Sequence, residues 1–442
     1  MNKKIARTLV IGYILIAVFG AIILSLPISQ VNSSNFIDAF FTSSSAISLT
    51  GLIVKNTATD YNFFGQLIIL ILIQLGGVGY MALVSLFYIV FRINIDLSKK
   101  SLLKTSLSFP NYEDMTYFVK KLFLFVILIE SFGAFVLSLI FMLEMPILDA
   151  IWAGIFHSIS AFNNAGFSVF KLGFLGRVDN FMLIIVITSL IIVGGIGYFV
   201  LIELYLLNKK KIKNLSIHTR ITLITTFIII IFSTILVLVL EWHNNKSIGE
   251  LSLLNKIMTS YFTAINYRTA GFNILDLSLL RDVSLFFGSL LMVIGGGAGG
   301  TAGGIKVTTL AVILIYVYRT IRNEQPIIFK RQIETNIIHS AFITLTLALS
   351  IVLISVMLLS ITEEGNKFLF ILFEVTSALG TVGVSAGDGG VLSLSALFSD
   401  GGKLVIIILM LSGKAGILLF SISIFVNKKD KHLKYLEEKI LI

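Results

Sequence analysis

Residues 147–167 read ILDAIWAGIFHSISAFNNAGF, an amphipathic stretch that ends in a glycine-containing turn, Ala165-Gly166-Phe167. It is too short and too polar to cross a bilayer, whose core takes about 20 apolar residues of helix. Three further stretches have the same form: NFIDAFFTSSSAISLTGL at 35–52, LSLLNKIMTSYFTAINYRTAGF at 251–272 and NKFLFILFEVTSALGTVGV at 366–384. Their turn glycines, Gly51, Gly166, Gly271 and Gly383, lie 115, 105 and 112 residues apart. A second glycine cluster follows each turn: Gly76-Gly77-Val78-Gly79, Gly194-Gly195-Ile196-Gly197, Gly295-Gly296-Gly297 and Gly413-Lys414-Ala415-Gly416. Counted from the turn glycine to Gly77, Gly195, Gly296 and Gly413, the offsets are 26, 29, 25 and 30. Two landmarks recurring four times in one order mark an internal repeat.

Long apolar runs flank each of these stretches, near 8–26, 65–91, 120–143, 181–207, 221–241, 283–318, 336–361 and 403–426, and predict eight crossings. The composition agrees. Of 442 residues 56% are hydrophobic and 13% charged, and mean hydropathy is +0.97, whereas a soluble domain carries about a quarter charged residues. Soluble, disordered and disulfide-stapled classes are excluded, and the lack of cysteine removes thiolate metal sites and cysteine nucleophiles. The first run follows Lys3, Lys4 and Arg7 like a signal peptide, but it is too long and no small-x-small cleavage site follows. With both termini inside, 23 of the 34 basic residues fall in inner segments and eight in outer ones, as insertion demands. The net charge of +10 therefore reads as topology and attraction to an anionic lipid bilayer, not as a nucleic-acid footprint.

The expected fold is an all-α polytopic membrane protein of four units, each an outer helix, a half-membrane re-entrant helix, a turn and an inner helix, around one axis. The boundaries read as 1–92, 120–208, 221–318 and 336–426, with cytoplasmic linkers 93–119, 209–220 and 319–335 and a C-terminal tail 427–442. Irregular backbone at membrane depth survives only where it is buried in protein or lines water. The re-entrant helices enter from outside, so their partially negative C-terminal ends aim at the membrane centre, which favours a cation. Glycine permits a turn with inward carbonyls, and a ring of carbonyl oxygens can replace the hydration shell of K⁺. The candidate ring is Thr50-Gly51, Asn164-Ala165-Gly166, Ala270-Gly271 and Val382-Gly383, acting through backbone oxygens alone. Packing alone would explain one such glycine; four in register point to a shared site.

The strings Asn163-Asn164-Ala165-Gly166-Phe167, Arg268-Thr269-Ala270-Gly271-Phe272 and Gly380-Thr381-Val382-Gly383-Val384 resemble the filter segments of the Trk/Ktr/HKT potassium-uptake superfamily. The resemblance runs along essentially the whole chain and is closest to the membrane subunit of bacterial Ktr systems. It implies a single-chain K⁺ pathway in the bacterial cytoplasmic membrane, with one filter glycine per repeat. In plant relatives a serine at the first-repeat glycine accompanies Na⁺ preference; Gly51 here implies K⁺. No turn is a full TVGYG, so selectivity weaker than that of a K⁺ channel is expected. The resemblance further implies a homodimer and a separate cytoplasmic ring of RCK-type (KtrA-like) regulatory subunits, which would bind ATP, ADP or NAD. No cofactor is expected on this chain itself, and K⁺ is its substrate.

The run 283–318 would extend about 54 Å as one helix, more than a membrane core. It must break at Gly295-Gly296-Gly297-Ala298-Gly299-Gly300-Thr301-Ala302-Gly303-Gly304, where seven of ten residues are glycine. In the family the matching stretch is an intramembrane gate, and Gly303-Gly304-Ile305-Lys306 resembles its end. A close-packing glycine stripe is the plainer alternative. Gly295-x-Gly297-x-x-Gly300 fits a dinucleotide fingerprint, but no βαβ unit surrounds it, and no Walker A pattern exists. Glu130, Lys306 and Lys414 lie deep in the membrane. The lysines read either as cavity-facing charges that limit ion passage or as static partners of Glu130 or of carbonyls. The family commonly has arginine where Lys414 stands, and an ammonium cannot reproduce its fork of donors. Arg268 would repel a cation if it entered the path, so it is expected to brace the third turn from behind. His157 and Asn163-Asn164 are expected to support the second.

Rival classes are weak. A secondary transporter with inverted repeats needs units of opposite orientation, and these share one. A membrane enzyme needs clustered His, Asp or Glu, whereas the five histidines are scattered. A Na⁺-permeable or Na⁺-dependent member of the same superfamily remains open.

Overall fold

The computed structural model describes residues 3–91, 101–102, 105, 115–387 and 391–425. The C-terminal tail 427–442 and most of the 93–119 linker, with the basic residues assigned to them, lie outside the described residues. Four helices are long and apolar enough to span a membrane: α1 (Lys3–Leu24), α5 (Met115–Phe141), α9 (Ile217–Glu241) and α13 (Thr335–Thr362). Each opens one repeat. Each is followed by a short helix: α2 (Phe36–Ser48), α6 (Ile147–Phe162), α10 (Leu253–Asn266) and α14 (Phe368–Gly380).

The inner crossings depart from expectation. Broken backbone was expected only in the third repeat, yet all four inner crossings come in two pieces. They are α3 (Phe63–Val78) with α4 (Tyr80–Val90), α7 (Phe181–Ile196) with α8 (Tyr198–Asn208), α11 (Asp282–Met292) with α12 (Val307–Ile321), and α15 (Asp400–Ala415) with α16 (Ile417–Phe425). The first, second and fourth pairs bend by 84°, 97° and 108°. Each bend sits on one glycine, Gly79, Gly197 or Gly416, at φ 82°, 109° and 91°. That left-handed conformation is open to glycine and costly to other residues, so a single position redirects the helix. A two-stranded ribbon, β1 (Ile327–Ile328) with β2 (Arg331–Gln332), is the small exception to an otherwise helical chain among the described residues.

Polar residues start α3 and α7. Asn62 and Asn180 accept from the amides of Gly65 and Leu183 at 3.0 Å each, satisfying N–H groups a helix start leaves free. In the third and fourth repeats a glutamate at the end of the outer helix does related work: Glu241 accepts from Ser284 and the Arg281 amide, and Glu363 from Ser399.

The repeats close on one another in a ring. Each short helix packs against its own outer helix and also against the inner helix of the preceding repeat: α6 on α3, α10 on α7, α14 on α11, and α2 on α15. The last contact joins the fourth repeat to the first. Near the N-terminus the Arg7 Nε donates to the Ser423 carbonyl at 3.0 Å, tying α1 to α16.

Candidate ion pathway

The four short helices end the same way. One residue past the end of α2 and α14, two past α6 and three past α10, a non-glycine residue turns left-handed: Leu49, Asn164, Thr269 and Thr381, at φ 61°, 57°, 72° and 51°. Two residues on, Gly51, Gly166, Gly271 and Gly383 are left-handed again, at 90°, 71°, 75° and 88°. The alternation turns the backbone away from helical continuation at the same place in all four repeats.

These turns meet. A Cβ added to Gly51 would lie 2.6 Å from the Ala165 carbonyl oxygen, and one on Gly166 3.0 Å from that of Ala270. One on Gly271 would lie 3.1 Å from the Val382 oxygen, and one on Gly383 1.9 Å from that of Thr50. The order 1, 2, 3, 4 and back to 1 is thus realised atom by atom. All four glycines line a single cavity, with Ser168, Asn273 and Ser385 beside them. Thr50, Ala165, Ala270 and Val382 are fully buried around it.

Side chains upstream hold the turns, and sequence reading missed them. Ser45 and Ser377 accept from the amides of Gly51 and Gly383 at 3.0 and 3.1 Å, and Ser160 donates to the Phe167 carbonyl at 2.8 Å. All three stand six residues before the glycine. The third repeat has Ile265 there, and Asn266 takes over by accepting from the Phe272 amide at 2.8 Å. The recurrence of serine at that offset was the available signal. Helix packing repeats too. A Cβ on Gly76, Gly194 or Gly413 would come within 2.2 Å of the carbonyl oxygen of Ile47, Phe162 or Leu379, each four residues before a turn glycine. Glycine lets the inner helix approach these helix ends closely.

His157 sits between the Ala153 carbonyl (2.7 Å) and the Ser168 hydroxyl (2.8 Å), walled by Phe141, Phe170 and Phe174. Asn163 donates to Glu130 at 2.8 Å and to Gln74 at 2.9 Å, and Gln74 donates to Glu130 at 3.0 Å. Asn164 donates to Thr269 at 3.2 Å, linking the second turn to the third. Glu130 therefore belongs to the second turn, far from either deep lysine in its partners.

Beneath the ring lies the glycine-rich segment between α11 and α12. Its base is pinched by a parallel bridge: Gly295 donates to Ile305, and Ile305 to Val293, at 2.8 and 3.0 Å. Its body lies in the break of the second inner crossing, with Gly297 donating to Gly195 at 2.8 Å and Tyr198 to Gly299 at 3.3 Å. Its far end reaches the fourth turn, where Gly303 donates to the Thr381 hydroxyl at 3.0 Å. Close contact demands glycine: a Cβ on Gly297 would meet the Ile196 oxygen at 1.8 Å, and one on Gly303 the Thr381 hydroxyl at 2.2 Å. Lys306 and Lys414 donate to the Ala302 and Thr301 carbonyls at 2.6 and 3.1 Å, so each ammonium group holds one carbonyl of this loop. Both line one cavity with Gly299, Gly300, Ala302 and Tyr198. Arg268 differs from expectation. The hydrogen bond of its guanidinium goes down to the Gly295 carbonyl (3.4 Å), not to its own turn, because the segment passes directly below.

A ring of four glycine turns above an interrupted inner crossing, in one chain, can be compared with known proteins. The model of a cation transport protein family, TrkH, matches residues 5–435. The chain belongs to the TrkH family. It is 38% identical over 430 residues to Ktr system potassium uptake protein B of Bacillus subtilis, covering 97% of this chain and 94% of that protein. It is 34% identical over 459 residues to potassium/sodium uptake protein NtpJ of Enterococcus hirae, covering 100% and 99%. The fold matches the crystal structure of the potassium transporter TrkH from Vibrio parahaemolyticus with a TM-score of 0.76 at 16% identity, over 96% of this chain and 84% of that one. A TrkH-family chain is a transporter component.

Proposed function

We propose that this chain is the potassium-translocating subunit of a Ktr/Trk-type uptake system in the bacterial cytoplasmic membrane, with both termini cytoplasmic. The observation that carries the reading is the convergence of the Thr50, Ala165, Ala270 and Val382 carbonyls on four left-handed glycines. These oxygens would replace the hydration shell of K⁺, and the short-helix C-termini add partial negative charge. The segment 295–304 acts as the gate, held shut through Lys306, Lys414 and Arg268. Inward flux runs on the membrane potential, worth about 2.3 kcal/mol per charge per 100 mV. A homodimer with a cytoplasmic RCK-type, nucleotide-binding partner fits the Ktr system named in the relatives. Its likeness to a potassium/sodium uptake protein favours Na⁺ as a second ion, permeant or coupled. Flux into proteoliposomes tests the reading: Rb⁺ and K⁺ should enter about tenfold or more faster than Na⁺. Equal entry of the three ions would overturn it.

A further inference from the structure

An apolar groove of about 510 Å³ runs between α7 and α9 within the membrane-spanning region, with Tyr261 of α10 also lining it. Its rim, Phe227, Ile231 and Ile235, is exposed where lipid would lie. Ile192, Ile196, Thr226 and Ile230 also line a second, smaller cavity of about 20 Å³, so the groove leads inward. That chamber abuts Gly296 of the loop, Asn164 of the second turn and Arg268 of the third.

Three of its lining side chains carry unpaired polar atoms. Among the described residues Arg268 Nε, Asn164 Oδ1 and Thr226 Oγ1 have no hydrogen-bond partner, and the residues are 9%, 1% and 5% exposed. Among the described residues Arg268 also has no carboxylate within ion-pair distance. Buried polar groups left this way are costly, so the chamber suits a guest that satisfies them. The atoms specify its chemistry. Arg268 Nε must be accepted, Asn164 Oδ1 must receive a proton donor, and Thr226 can do either. The volume holds one oxygen-sized group. A hydroxyl meets all three demands; a carboxylate brings two oxygens and no donor to Asn164.

We propose that the groove and chamber form a membrane-accessible site for a long-chain alcohol: the alkyl tail lies between α7 and α9, and the hydroxyl bridges Arg268, Asn164 and Thr226. The occupant would touch the contacts that tie the loop to the turns, so its effect on flux rests on the gate reading above, while its binding does not.

The test uses the full-length protein in liposomes and a photoreactive octanol with a diazirine on its chain. Adducts should map to α7 and α9 around Ile192 and Ile230. 1-Octanol should compete them away, n-octane about tenfold less well, the factor expected for one hydrogen bond to a charged donor. Thr226→Val should weaken 1-octanol competition about fivefold, and Ile230→Trp, which fills the groove, should remove the adducts. Adducts spread evenly over the exposed apolar helices, or octane or octanoate competing as well as 1-octanol, would overturn the site. In the unlabelled protein, Rb⁺ flux indifferent to 1-octanol at concentrations that compete the adducts away would refute coupling to the gate and leave the site standing.

Discussion

At the scale of single residues, the turn glycines are constrained twice. Gly383 has a φ of 88°, and a Cβ there would stand 1.9 Å from the Thr50 oxygen of the neighbouring repeat. Strain at such a residue is of the order of 1–3 kcal/mol. Gly383→Ala should therefore lower K⁺ flux about tenfold or more while the protein still inserts, measured as Rb⁺ uptake against membrane-inserted protein; wild-type uptake would contradict the carbonyl-ring reading. Lys414 makes a separate prediction. Its ammonium donates to the Thr301 carbonyl, and glutamine removes both the charge and most of the reach. Lys414→Gln should raise basal flux severalfold, an energy of about 1 kcal/mol for one lost hydrogen bond. Unchanged uptake would show that the lysine is only a packing element. Lys306, bonded to Ala302, and Arg268, bonded to Gly295, would then be the remaining cations on the loop.

At the scale of elements, the loop between α11 and α12 is fastened at three places: its pinched base, the break in the second inner crossing and the Thr381 hydroxyl. Shortening 295–304 should release the path, giving faster Rb⁺ flux that no longer responds to a nucleotide-binding partner. Gly297→Ala should act in the same direction and more mildly, since its Cβ would collide with the Ile196 oxygen and push the loop out of its seat. Reduced flux in both variants would reverse the gate assignment. How much of this was legible beforehand depended on the kind of signal. Apolar runs and glycine periods are carried by composition and spacing, so the four units and the interrupted third crossing could be read directly. The bends at Gly79, Gly197 and Gly416 could not, because one glycine barely changes the hydropathy of a run and the run says nothing of direction. The serine braces were hidden for a different reason. Ser45, Ser160 and Ser377 look like ordinary small helix residues, and only their common distance from a turn gives them meaning. The partner of Arg268, Gly295, lies 27 residues along the chain and only folding brings it there.

At the scale of the whole molecule, closure is the organising fact. Each short helix leans on the preceding repeat's inner helix, and α2 on α15 completes the circuit. Every turn is thereby held by two repeats, which suits a site whose atoms must keep fixed spacing. On the uptake reading, the membrane potential supplies the energy. In liposomes bearing an inside-negative potential, Rb⁺ should accumulate without any nucleotide and stop accumulating when a protonophore collapses the potential. Accumulation that persisted would require a second coupled ion, with Na⁺ the first to test.

The proposed coordination ring is written once along one polypeptide, with threonine, alanine, alanine and valine preceding its four glycines. In an assembly of identical chains any substitution strikes every position around the axis together. Here a single codon alters one side and leaves three intact, so preference among alkali metals can drift by quarters, each step short of the loss that a symmetric change would bring.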